Sequence, residues 1–380
     1  MMAAMKVLNA TGPQAMAYGS GGYSFGFPEG VSVTDFVPDH IKHMIHPHWE
    51  KFPPVNPMWH YLLGVVYLFL GAISLFGNGM VLLLFMKNKN LRSPANYLVA
   101  NLAIFDFIMM LKTPVFIVNS FNEGPVWGKL GCDVFALMGS YAGIGGAVTN
   151  AAIAYDRYKT IAKPFEAKMS RSTAFLMVVG IWAYASPWSL LPLFGIWGRF
   201  VPEGFLTTCS FDYLSEDLNT RSFVGAIFVF SYILPGMLIV YFYSQIFSHV
   251  KSHEKAMHEQ AKKMNVTNLR SNAEANAQSA EVRIAKVAMT NVALWLVCWT
   301  PYAAVVVQGL FFNQEDITPI VSMLPALLAK SASVYNPIIY AINHTKFRLA
   351  LTKQMPGFCI HEEEEKASGA DSKSTDTQKA

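Results

Sequence analysis

Seven runs of the chain are apolar over more residues than a bilayer-crossing helix needs, and polar residues gather in the segments between them. The runs cover 61–86, 97–121, 134–155, 173–197, 222–247, 287–313 and 317–342. Each exceeds the about 20 residues of a membrane helix and far exceeds the about 9–11 of a membrane strand. Helices satisfy every backbone group within the segment, so seven helices are predicted. Five of the runs carry no charge. Run 97–121 contains Asp106 and Lys112, and run 317–342 contains Lys330 near its middle.

The segments between the runs set an orientation, because lysine and arginine concentrate on the cytoplasmic side. Lys87, Lys89 and Arg92 follow the first run. Arg157, Lys159, Lys163, Lys168 and Arg171 follow the third, and Lys251, Lys255, Lys262, Lys263, Arg270 and Arg283 lie between the fifth and sixth. Glu123, Glu203, Asp212, Glu216, Asp217, Glu315 and Asp316 fall on the other side. The expected architecture is an all-α bundle of seven transmembrane helices, amino terminus outside and carboxyl terminus inside. It divides into an irregular extracellular tail (1–57), the membrane domain (58–343), a short amphipathic cytoplasmic helix (344–358) and a disordered cytoplasmic tail (359–380). Asn9 begins a glycosylation sequon on the outer side. Residues 1–10 hold no signal-peptide core, so the first run is expected to direct insertion.

Composition agrees. Charged residues make up 14% of the chain, against about 25% in soluble domains. The net charge of +4 is spread between the apolar runs rather than along one stripe, so no nucleic acid is expected as a partner; the lipid bilayer is. No nucleophile–base pair, metal cluster or phosphate loop is present, so the chain is not expected to be an enzyme. The lack of an internal repeat argues against a transporter or channel with Lys330, Lys112 and Asp106 along an ion path.

Lys330 needs a reason. An ammonium at the centre of a membrane helix costs roughly 2.5–3.5 kcal/mol on the mildest scale. Unlike arginine, lysine can lose its proton and form a Schiff base with an aldehyde. Other polar groups stand in pattern. Asp156-Arg157-Tyr158 ends the third run, where Arg157 serves either as a plain cytoplasmic anchor or as a partner of Asp156 and of Glu281 across helices, a contact whose breakage would release the sixth helix. Cys298-Trp299-Thr300-Pro301 kinks the sixth helix. Asn336-Pro337-Ile338-Ile339-Tyr340 closes the seventh. Asn78, Asp106 and Asn336 are expected to share a hydrated network, with room for a sodium ion. Cys132 and Cys209 lie on the oxidising side, where a bridge would pin the intervening loop across the mouth of the bundle. Cys359 is either a palmitoylation site or a free thiol.

These motifs, with the Cys132/Cys209 pair, resemble the rhodopsin-like G-protein-coupled receptors. Lys330, six residues ahead of Asn336, stands where opsins attach retinal. Residues 198–213 and 253–265 closely resemble the arthropod short-wavelength, ultraviolet-type visual opsins, and the likeness spans about 58–358. The resemblance implies 11-cis-retinal or 3-hydroxyretinal on Lys330, a Gq-class heterotrimeric G protein, arrestin and a receptor kinase as partners, and a rhabdomeric plasma membrane. Gly143, Trp299 and Tyr302 would line the polyene slot, with ordinary core packing as the alternative. Vertebrate visual opsins place a counterion glutamate where this chain has Phe135, so Glu203 is the expected counterion. Rhabdomeric opsins commonly carry His-Pro-Lys where this chain has His344-Thr345-Lys346. Arthropod ultraviolet opsins carry a lysine at the position of Lys112. A positive charge beside the linkage favours its neutral, ultraviolet-absorbing form. Otherwise Lys112 snorkels to the surface. The alternatives are a blue-sensitive opsin and a receptor for a diffusible ligand, although run 134–155 lacks the aspartate that amine receptors use.

Overall fold

The computed structural model describes residues 30–264, 272–343 and 345–355. Asn9 and Cys359 lie outside the described residues, as do the side chains of Glu281 and Tyr340. Seven long helices form one bundle among the described residues: α1 (Pro57–Lys87), α2 (Pro94–Phe121), α3 (Gly128–Ala162), α4 (Arg171–Leu193), α5 (Leu218–Phe228 continuing through Val229–Ile233 into Leu234–Met264), α6 (Asn272–Phe311) and α7 (Pro319–Asn343). A short helix, α8 (Thr345–Gln354), follows.

Six of the seven are long and apolar enough to cross a membrane by length and composition alone. The exception is α7, whose apolar character is diluted by Lys330, Asn336 and three serines. The outer faces of α1, α4 and α5 show Phe69, Phe76, Phe175, Leu176, Met237 and Val240 to the surroundings. An exposed apolar belt of this kind matches hydrocarbon rather than water.

The centre of the bundle is α3, packed against α2, α4, α5 and α6 and against both strands of the hairpin described below. Its buried Gly145, Gly146, Ala147, Ala151 and Ala154 let the neighbouring backbones approach. Pro114 lacks an amide hydrogen and interrupts α2 at Lys112, which ends the segment Pro94–Leu111 and begins Thr113–Phe121. In α5 the turn widens over Val229–Ile233 to a π-type turn. Both α5 and α6 outrun their apolar runs. Their extensions are rich in Ala, Glu, Lys and Gln, which favour helix without needing burial.

Between α4 and α5 the chain forms an antiparallel hairpin, β1 (Phe200–Glu203) and β2 (Thr208–Phe211), which the reading of the sequence left as a loop. Phe200 pairs with Phe211 and Glu203 with Thr208. A disulfide joins Cys132 of α3 to Cys209 of β2, with the two Cα atoms 5.2 Å apart. The hairpin thereby lies across one end of the bundle.

A cap covers the hairpin. Three short helical turns, Val33–Phe36, Asp39–Lys42 and Pro47–Lys51, come from the segment read as an irregular tail. Val33, Val37, Ile41, Ile45 and Trp49 of this segment share a core with Leu206, Tyr213, Leu214 and Ile317. His48 is buried, and its Nε2 donates to Ile317 O at 2.8 Å. Burial holds the His48 imidazole below its usual value of 6.5, and the bond to the Ile317 carbonyl opposes that only in part. The unfolded segment therefore takes the proton first. The cap keeps its full stability above about pH 6.5 and loses it as pH falls below that value. Amide exchange over residues 45–52, corrected for intrinsic rates, should accelerate between about pH 7 and pH 5. A His48→Gln variant should show a smaller response, the remainder coming from His46, whose imidazole is also held below 6.5 by burial. A response of equal size in both proteins would remove His48 from the account.

Candidate functional site

Beneath the hairpin lies a cavity walled mainly by apolar and aromatic side chains, as small-molecule sites are. Its wall includes Lys112, Gly139, Gly143, Trp299, Tyr302 and Lys330. Phe200, Ser210, Phe211 and Tyr213 roof it, and α5 and α6 supply much of its apolar side.

Two lysines end in this cavity. Lys330 reaches in from α7, with Nζ donating to Ala326 O at 3.3 Å. Lys112 is only 4% exposed, and its amine turns inward from the break in α2 instead of snorkelling to the rim. Its Nζ donates to Phe135 O at 3.2 Å and stands 4.1 Å from the centroid of the Phe135 ring. The Lys330 Nζ faces the same ring at 5.7 Å. Aromatic faces attract cations at such distances. Phe135 therefore meets both amines at the position where a carboxylate was expected to be missing.

Gly139 and Gly143 follow Phe135 at four-residue intervals, so the three stack on one face of α3. A β-carbon at Gly139 would collide with Lys112 Nζ. One at Gly143 would stand 2.8 Å from Trp299 Cη2. These two glycines leave room for the amine and the indole. The part played by Phe135 and Gly139 was missed in the sequence. The four-residue spacing was the available signal.

Glu203 is 2% exposed at the end of β1, one layer behind the cavity wall. Tyr302 Oη donates to its Oε2 at 3.1 Å, and Ser210 Oγ lies 2.6 Å from the same phenol. Tyr213 Oη and Ser322 Oγ are bonded at 2.8 Å alongside. Burial pushes the Glu203 carboxyl up, while the charge of Lys330 and the phenol bonds pull it down. Among the described residues no ion pair joins Glu203 to either lysine, so its charge acts on them through space.

The other polar positions divide into separate groups. Asp106 accepts from Asn336 Nδ2 at 2.6 Å. Asn78 instead donates to Ser74 O at 3.0 Å and Ser333 O at 2.9 Å, so it belongs to a neighbouring cluster. Pro337 packs where Gly77 leaves space. Near the far end of α3, Arg157 Nε donates to Asp156 Oδ2 at 2.9 Å, and both residues are buried. Tyr158 stacks on Phe242 of α5 with ring centroids 5.5 Å apart.

The family described as "7 transmembrane receptor (rhodopsin family)" matches residues 77–340. The compound eye opsin BCRH1 of Hemigrapsus sanguineus is 52% identical over 360 residues, covering 94% of this chain and 95% of that protein. The chain is an arthropod-type opsin of the rhodopsin family. A second relative of this opsin, the ultraviolet-sensitive opsin of Apis mellifera, is 54% identical over 315 residues, covering 83% of this chain and 85% of that one. The crystal structure of squid rhodopsin matches it with a TM-score of 0.78 and 35% identity, over 84% of this chain and 92% of the squid chain.

As an opsin the protein is a light-sensing, G-protein-coupled, multi-pass membrane receptor for a retinal-class chromophore, and its family members are receptors rather than enzymes. The cavity suits such a group. It offers an apolar, aromatic-walled space, and an amine at its α7 side. Gly143→Ala should push the Trp299 ring into that space, at a local cost of about 1–3 kcal/mol if the indole cannot yield. The expected outcome is a smaller yield of pigment on adding retinal, with unchanged amounts of folded apoprotein. Equal yields from the variant and the parent would show that Trp299 moves freely.

Proposed function

We propose that this opsin is an ultraviolet-absorbing visual pigment. It carries 11-cis-retinal or its 3-hydroxy relative on Lys330 and activates a Gq-class heterotrimeric G protein. The observation that carries the reading is the presence of Lys112 in the same cavity as Lys330, with both amines against one phenylalanine ring. The chromophore supplies a light-absorbing polyene whose aldehyde joins Lys330 as a Schiff base. That linkage absorbs visible light when charged and ultraviolet when neutral.

The protein's own groups decide between the two. Lys112 presents a positive charge beside the Lys330 nitrogen, and like charges disfavour a second one there. Phe135 brings no carboxylate to offset it. Glu203 is the counterion of the site, acting from behind Tyr302 and Ser210. Gly143, Trp299 and Tyr302 shape the slot. The name of the Apis relative supports ultraviolet sensitivity by kinship.

At the opposite end, the Asp156–Arg157 pair and Tyr158 hold α3 in its resting contacts. Glu281, Asn336, Pro337 and Tyr340 complete the switch that meets the G protein, with arrestin and a receptor kinase as later partners. The basic segments support a cytoplasmic position for that end and an outer one for the cap, and kinship with a compound eye opsin supports a rhabdomeric membrane.

The protein reconstituted with 11-cis-retinal in the dark should absorb below about 400 nm, and acid denaturation should replace that band with a charged-linkage band. A blue band would keep the opsin and remove the role given to Lys112. Lys112→Glu should move the maximum of the native pigment into the visible. An unmoved maximum would likewise assign the tuning elsewhere.

A further inference from the structure

We infer that Lys112 is a second amine at which this opsin takes up an aldehyde of the retinal class, in competition with Lys330. The inference rests on the retinal reading above and goes beyond the tuning role given to Lys112.

The two amines share the features of place that imine formation needs. Both line the same cavity. Both face the Phe135 ring, Lys112 from 4.1 Å and Lys330 from 5.7 Å. Each is held by a single backbone carbonyl, Phe135 O for Lys112 and Ala326 O for Lys330. A lysine ammonium has three donors, so neither site is built to hold the charged form with all of them satisfied. Among the described residues the cavity has one nearby carboxylate, Glu203, whose charge acts on both amines. One carboxylate balances one ammonium. A lysine nitrogen exchanges its proton readily, so either amine can present its lone pair while the other holds the charge. Once Lys330 carries the aldehyde, the charge rests on Lys112. Gly139 leaves room for the Lys112 nitrogen, since a β-carbon there would collide with it.

The step balances without a further reactant. The amine nitrogen bonds to the aldehyde carbon, its two hydrogens pass to the carbonyl oxygen, and that oxygen leaves as water. No oxidant or reductant is needed. The same exchange between the two lysines would pass the aldehyde from one to the other.

The test uses the full chain in membranes, with 11-cis-retinal as the probe and borohydride to fix any imine as a stable amine before digestion and mass spectrometry. Wild type should carry the adduct on Lys330. Lys330→Ala should carry it on Lys112, well above the surface Lys51 and Lys129. Lys330→Ala combined with Lys112→Gln should carry none in the cavity. If Lys330→Ala fails to fold, judged by recovery of the Cys132–Cys209 bridge, Lys330→Arg serves instead, since it keeps the charge and forms no stable imine. Label on Lys330 in wild type with none on Lys112 in either variant overturns the inference and leaves the retinal reading intact. Label on Lys112 no greater than on Lys51 and Lys129 overturns it as well. A wild type without label on Lys330 removes the retinal reading itself, and the inference falls with it.

Discussion

Two amines share a low-dielectric cavity, and among the described residues the carboxylate whose charge acts on them stands behind its wall, carried on a hairpin. Charge buried without a partner is among the most destabilising features a membrane protein can hold. The position of Glu203 therefore decides whether the interior is tenable. Glu203 stands at the end of β1, β1 is paired to β2, and β2 is tied to α3 through Cys209 and Cys132. The cap then packs on the same hairpin through Leu206, Tyr213 and Leu214. Each layer holds the one beneath it, and the innermost sets the electrostatics of the cavity.

The rest of the interior follows a related rule, that a polar group in an apolar bundle must find a partner. Asp106 finds Asn336, Asn78 finds the Ser74 and Ser333 carbonyls, and Arg157 finds Asp156. These contacts join α2 to α7 and α1 to α7, or stay within α3. Between them lie apolar helix contacts, which carry less directional preference than hydrogen bonds. The polar pairs are thus the points at which the helix packing is specified, and they are also the points at which it can be changed.

Much of this was written openly in the chain. The seven apolar runs correspond to the seven helices, because a membrane helix must be apolar over its whole crossing. Lys330 was conspicuous for the same reason. Pro114 is the local signal for the break at Lys112, since a proline cannot donate to the turn before it. What could not be read depended on packing between distant segments. Strands of four residues such as Phe200–Glu203 carry no periodic signature, and their pairing is set by the disulfide and by the cap above. That Asn78 and Asp106 fall into different clusters depends on the rotation of α1 relative to α2, which no local pattern records. The cap was hidden in a segment rich in Gly, Pro and aromatics. Its helical turns last four or five residues and owe their order to Trp49 and His48 being buried against other parts of the fold.

The disulfide carries a consequence for the order of assembly. Its cysteines are 77 residues apart, and the chain between them crosses the bundle twice, down α3 and back along α4. An odd number of crossings would leave the two thiols on opposite faces of the bilayer, where no oxidant could join them. The bond can close only after both helices have been threaded in their final sense and the segment after α4 has returned to the starting face. Its formation is a record of correct insertion, written into the chain before α5, α6 and α7 need to have found their places.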